Sequence, residues 1–408
     1  MKTRRQILCG NLNQARRAKV PLLILAVILA LAFITCGDGP GTDSDTDPDT
    51  DPGTDSGTDP GTGPGTDPGG SGGGNTPPAG TTVPGSTLAE KLAWVLNENN
   101  VQNGGTYTIT VNADEAINPQ TLSYTNRSNV TINLWGGETE RVVSLKSSGT
   151  LFSVFRVTLV LDNNITLEGN SDDTGRLVSV TSVTADGKLE MRAGAKITGN
   201  TGGGVSITGP GASFTMSGGT ISGNTASQGG GVHILGSSAS FTMSGGTISG
   251  NTASLGGGVA VGGTFNMSGG TITGNIVSSE FFSPSNGDTF NGGGVYVIGN
   301  GAVFTMTGGT ISGNTAEGSA SINQQGNGGG VFVYNGGTFR IVNGTVHGSD
   351  AASGMKNAAT NNGAALYVRS GNPASTAERG TFNGTTWNSA GSLSTTGDTI
   401  RIVNGELQ

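Results

Sequence analysis

The chain has 408 residues, 75 of them glycine, with 12% charged and 5% aromatic residues and a formal net charge of −8. That much glycine without a Gly-X-Y period excludes collagen and long helices, and the excess of acid disfavours a nucleic-acid partner, whose phosphates need basic surface. The composition is that of a repeat protein carrying a low-complexity segment.

Residues 1–35 read as an export signal. Lys2, Arg4, Arg5, Arg16, Arg17 and Lys19 precede an apolar run from Val20 to Ile34. Those 15 residues would span about 22 Å as a helix, short of a hydrocarbon core of roughly 30 Å. The run ends in Phe33-Ile34-Thr35-Cys36-Gly37, which resembles the lipobox of bacterial lipoproteins in a relaxed, spirochaete-like form. Phe33 and Thr35 stand where that family usually has Leu and Gly or Ala. The resemblance implies cleavage before Cys36, lipid on its sulfur and amino group, and a membrane partner reached through that lipid. Cys9 would leave with the signal, and the mature chain could then form no disulfide. Loss of the six positive charges of residues 1–35 takes the net charge from −8 to −14.

Residues 36–85 are built of Asp-Pro-Gly-Thr units with nine Asp and neither Lys nor Arg. A segment that self-repels and has almost nothing apolar to bury is expected to be a disordered spacer. Residues 86–104 hold the one convincing helix. Thr87 and Glu90 have capping-box spacing, and Leu88, Leu92, Val95 and Leu96 form an apolar face with Trp94 at its edge. A short amphipathic helix placed before a repeat array is the natural plug for its open apolar end.

Residues 105–408 are expected to form a right-handed parallel β-helix of about nine coils. Four copies of one unit set the pattern, each running from GGGV through a Phe to an Ile and an Asn. Val205, Val232, Val259 and Val295 follow the glycines; Phe214, Phe241, Phe265 and Phe304 lie seven residues before Ile221, Ile248, Ile272 and Ile311; Asn224, Asn251, Asn275 and Asn314 come three residues after each Ile. From the Asn to the next glycine triplet the gap is 4, 4, 16 and 13 residues, so surplus chain leaves at one corner, at 276–291 and 315–327. Fixed turns with expelled loops are the mark of a solenoid.

Short alternating runs of β-branched and aromatic residues broken by Gly read as three strands per turn, with Val, Phe, Met and Ile inward. Asn200, Asn224, Asn251, Asn275 and Asn314 would stack as a ladder, giving partners to backbone groups at the corner. Degenerate coils come first: 107–111, 130–134 and 142–145 as one turn, 151–154, 158–161 and 165–170 as the next, and 177–180, 188–191 and 196–200 as a third. The last turn is read as 365–368, 380–383 and 399–405.

Ile221-Ser222-Gly223-Asn224-Thr225 followed by Gly229-Gly230-Gly231-Val232 resembles the paired GGA[ILV] and FxxN motifs of chlamydial polymorphic membrane proteins, and the array is also similar to large β-helix lipoproteins of spirochaetes. The likeness covers residues 200–335 well and the earlier coils loosely, with Ile in place of the Phe of FxxN. It implies a surface or adhesin-like protein at the outer membrane or cell surface, with a host glycan or protein as ligand. No ten-residue amphipathic strands follow the array, so the anchor is expected to be a lipid rather than a membrane barrel.

Enzymes also use this fold, and a glycan-active lyase or hydrolase is the alternative reading. Such chemistry needs clustered carboxylates and a base on neighbouring coils. Between Lys196 and Arg340 there is no Lys or Arg, and the acids there, Glu280, Asp288 and Glu317, fall in the expelled loops. His233 is expected to face solvent, some four coils from His347, and Asp114-Glu115, Glu138 to Glu140 and Asp172-Asp173 read as solvated turn residues. No catalytic group, metal site or cofactor is therefore expected. Two outward features remain: files of Thr and Ser beside the third-strand Ile, and the file Ser206, His233, Ala260, Tyr296, Phe332, Tyr367. Tyr296, Phe332 and Tyr367 form an aromatic stripe that is the candidate ligand contact unless the two long loops fold over it.

Overall fold

The computed structural model describes residues 77–408 except 173, 183–186, 279–289, 319–324, 371 and 384–385. Cys36 and most of the acidic spacer lie outside that range. Three largely parallel sheets run the length of the array, and a fourth covers one corner of its later coils. The chain is a parallel β-helix, and each coil visits three long faces in turn.

The Phe face carries one rung per coil from Thr106–Thr110 through Ser213–Met216, Ser240–Met243, Thr264–Met267 and Val303–Met306 to Thr376–Phe382. Its inward rings stack: Phe214 on Phe241 at 4.7 Å and 8°, Phe241 on Phe265 at 4.7 Å and 4°, Phe265 on Phe304 at 4.6 Å and 9°. The Ile face runs from Glu115–Ile117 to Gly344–Val346, and the Val face from Gln120–Leu122 to Leu366–Val368. Ile221, Ile248, Ile272 and Ile311 on one and Val205, Val232, Val259 and Val295 on the other are fully buried. Since side chains alternate along a strand, exact pairing of like with like, Ile221 opposite Ile248 opposite Ile272, fills the bore in flat layers.

The first coils differ from the expected grouping. Thr106–Thr110 pairs directly with Val130–Trp135, so the two are successive rungs of one face and cannot share a turn. The first turn is completed by Glu115–Ile117 and Gln120–Leu122, three-residue strands too short and polar to stand out as periodic runs. Thr81–Thr82, assigned by sequence to the spacer, adds a parallel rung beside Tyr107–Thr108, and Val83 is buried. Uncharged and β-branched, Thr-Thr-Val suits such a rung.

Helix α1, Leu88–Val95, closes this end. The Thr87 hydroxyl accepts from the Glu90 amide at 3.2 Å, and the Glu90 carboxylate accepts from the Ser86 and Thr87 amides. Leu88, Leu92 and Val95 join the same apolar cluster as Ile109 and Leu122. Lys91 is buried beside them, its Nζ donating to the Thr110 carbonyl at 2.6 Å. Among the described residues no helix is long and apolar enough to cross a membrane.

The other end is closed by reversal of direction. Trp387–Ser392 pairs antiparallel with Thr376–Phe382, and Ile400–Val403 pairs antiparallel with Gly344–Val346. Residues 399–405 therefore do not continue the parallel stack as the sequence suggested. Alternation alone cannot tell the two directions apart, because inward and outward positions keep the same period in both.

A fourth sheet was not anticipated. At the corner before the glycine triplets, Thr225–Gln228, Thr252–Leu255, Ile276–Val277 with Phe290–Asn291, Thr315–Ala316 with Gly326–Asn327, and Ala358–Ala359 pair in parallel. The long insertions thus leave after one half of a corner rung and return to make the other half.

Candidate functional site

The asparagine column lies inside this corner. Asn224, Asn251, Asn275 and Asn314 are fully buried, and Asn200 is nearly so. The Asn251 amide and its Nδ2 both donate to Asn275 Oδ1, at 3.0 and 2.9 Å, while Nδ2 also reaches the Ile221 carbonyl at 3.0 Å. The same arrangement links Asn224 to Asn251, Asn275 to Asn314 and Asn314 to Asn357. Asn357 ends the ladder, its Nδ2 donating to Ile311 and His347 carbonyls. Sequence reading missed it because residues 347–356 separate it from Val346, whereas every earlier Asn follows its Ile by three residues. Its signal was Asn357-Ala-Ala followed by Gly363 and Leu366, a worn copy of Asn-Thr-Ala and GGGV.

Three successive glycines recur because three different contacts forbid a side chain. At the Tyr296 strand, Gly292 has φ +74°, and a Cβ there would stand 2.9 Å from the Cα of Tyr296. A Cβ on Gly293 or Gly294 would stand 2.6 Å from the Gly329 or Gly330 carbonyl of the next coil. The chain arriving at the Val face thus turns hard against the outer side of that face. Outward residues there sit in the lee of the corner.

Of the two readings of the aromatic file, burial favours the covered one. Ser206, His233, Ala260, Tyr296, Phe332 and Tyr367 do stack in register. Tyr296 is only 3% exposed, however, and Phe332 is fully buried. Their rings lie 5.5 Å apart, and Phe332 stacks on Tyr367 at 5.3 Å and 15°. Only Tyr367 of the three is partly accessible. Near it, the Arg369 guanidinium lies 4.7 Å over the ring of Tyr334. Residues 279–289 and 319–324 of the two long loops lie outside the described residues.

His233 is likewise not an ordinary solvent-facing histidine. Arg176 reaches across from two coils earlier, its Nη2 3.2 Å from His233 Nδ1, while the guanidinium also donates to the Gly229 carbonyl at 2.5 Å and to the Gln228 carbonyl. Nδ1 must then accept, leaving the ring proton on Nε2. Burial, and then the neighbouring cation, push the His233 pKa down to about 3, and burial lowers that of Arg176 to about 10. The histidine is a neutral acceptor for a structural arginine.

Three of the early acids are individually engaged, and Asp173 lies outside the described residues. Asp114 accepts from the Val142 amide, Glu115 from the Leu88 amide at the helix start, and Glu140 from Lys196 Nζ and the Thr166 hydroxyl. Those two donors hold the Glu140 carboxyl below its ordinary pKa. Among the described residues no three His, Cys, Asp or Glu side chains stand close enough to share a metal ion. Thr220, Thr247, Thr271 and Thr310 stand in register beside Ser222, Ser249, Thr273 and Ser312, all outward from the Ile face. No protein-family model, no curated protein and no solved structure matches the chain.

Proposed function

We propose that this protein is a lipid-anchored display rod of the bacterial cell surface, adhesin-like and without catalytic activity. One observation carries most of the reading: an unbroken stack of like coils, plugged at one end by α1 and closed at the other by antiparallel strands. Its middle coils, between Lys196 and Arg340, contain no cationic side chain. Such a body offers length, regularity and resistance to unfolding, and among its described residues acid and base groups do not converge in a cleft. The export signal, the lipobox-like run ending at Cys36 and the Asp-rich spacer supply anchorage and distance from the membrane.

The resemblance to surface β-helix families points to a host glycan or protein as ligand, with Tyr367 the accessible member of the aromatic file. Metabolic labelling with a palmitate analogue, followed by mass spectrometry of the mature amino terminus, tests the anchor. The expected product begins at a lipid-bearing Cys36, and the label is lost in Cys36→Ala. An unlabelled chain retaining residues before Cys36 overturns the proposal.

A further inference from the structure

The corner sheet lacks one rung. Seven residues separate Asn224 from Val232, and seven separate Asn251 from Val259, room for a strand and the glycine turn. Only four separate Asn200 from Val205, and they form no strand. Thr225–Gln228 consequently has a strand partner on one side alone, Thr252–Leu255; on the other side its Thr225 amide donates to the Asn200 carbonyl at 2.8 Å and the edge beyond has no strand beside it. On its open side is a cleft of about 210 Å³. Thr225, Ala226 and Ser227 form one wall, Thr174 and Arg176 of the loop two coils back form the other, and Thr201 and Gly202 lie between.

The dimensions and the charge both select an occupant. Coils are spaced 4.7 Å apart at the stacked rings of Phe214 and Phe241, so walls two coils apart stand about twice that far from each other, the width one extended strand fills. An open strand edge offers backbone donors and acceptors that only another backbone matches along its length. Arg176 marks one end by its bonds to the Gln228 and Gly229 carbonyls, and among the described residues no carboxylate pairs with it. A partly buried cation with no acid partner among the described residues favours an acidic ligand.

We propose that this slot binds a short extended peptide segment as the missing rung, with a carboxylate of that segment against Arg176. The incoming backbone pairs with the part of that edge left open between the Thr225 amide and the Gln228 carbonyl, and the hydroxyls of Thr174, Thr201 and Ser227 receive its polar side chains. Gly202 and Ala226 restrict it to small residues. Binding of this kind is a property of the folded rod itself, whatever anchors it.

The test is a titration of the full chain against fluorescein-labelled Gly-Thr-Asp-Thr-Gly, read by anisotropy. Saturable binding is expected, weakened at least tenfold when the Asp and following Thr are N-methylated and at least tenfold when Asp is replaced by Asn. Inserting Thr-Ala-Ser between Asn200 and Thr201 should build the rung from the chain itself, abolishing binding with the melting temperature unchanged or raised. No saturation at millimolar concentration overturns the proposal. So does equal binding of the N-methylated peptide. Competition by glucuronate as effective as that of the unlabelled peptide would make the slot a carboxylate site for acidic sugars rather than a strand site. The peptide comparisons use the unaltered protein, so they decide the matter even if the insertion prevents folding.

Discussion

Asn251 shows how a polar side chain survives in a dry corner: its oxygen takes two donors from Asn224, and its nitrogen gives to Asn275 and to the Ile221 carbonyl. Removing it leaves several buried groups unpaired, each costing about 1–3 kcal/mol. Asn251→Ala is therefore expected to lower unfolding stability by at least about 3 kcal/mol in urea titration, and Asn357→Ala, at the ladder's end, by less. Ile248 and Thr247 give a sharper contrast, because Ile248 is fully buried and Thr247 half-exposed. An unpaired carboxylate in the bore costs several kcal/mol, whereas a surface change is usually within about 0.5 kcal/mol. Ile248→Asp should abolish the folded circular-dichroism signal and Thr247→Asp should leave it intact; equal loss would contradict the assigned alternation.

His233 adds a pH dependence. Its folded pKa of about 3 lies below its ordinary 6.5, so the stability it contributes is present above about pH 6.5 and is lost as pH falls toward 3. His233→Gln, which keeps an acceptor for Arg176, should flatten that limb of the urea midpoint against pH. These residue-scale roles were unequally legible. Period two placed Ile248 and the repeat's fixed Ile-to-Asn spacing placed Asn251, but the environment of His233 includes Arg176, 57 residues earlier in the chain. No local pattern announces a contact of that range.

At the scale of elements, the ends of the solenoid carry the risk. A stack of open strands is a template for further stacking, and its apolar end is a site of association unless covered. Leu92 is buried on the inner face of α1, so Leu92→Asp should lift the helix and raise the particle mass through added association or aggregation, visible by light scattering; an unchanged mass would show that α1 is not the plug. The helix was readable in advance because caps and a 3.6-residue apolar stripe are local signals. The opposite closure was not. Ile400–Val403 carries the same alternation as Thr338–Ile341, within the like sequences Thr399 to Gly405 and Thr338 to Gly344, yet it runs antiparallel on another face. The fourth sheet escaped notice for a related reason: its two- to four-residue strands are too short for periodicity to register.

At the scale of the molecule, nine rungs on the Val face at about 4.7 Å each make a rod of roughly 40 Å. Repetition is what made this architecture legible, since four copies of one unit reveal which positions are fixed and which absorb insertions. Covering of the aromatic file was foreseeable from the long loops that enter the same coils, whereas the glycine corner lying against Tyr296 was not, because it depends on where that corner places its backbone rather than on the residues in the file. The central claim is that the tether holds a folded rod outside the cell. The most direct measurement is brief protease treatment of intact cells, with immunoblotting of pellet and medium. The account predicts that cleavage within residues 37–76 releases a folded fragment of the rod into the medium and leaves a lipid-bearing stub in the pellet. An undiminished full-length chain on intact cells, cut only after lysis, would contradict it.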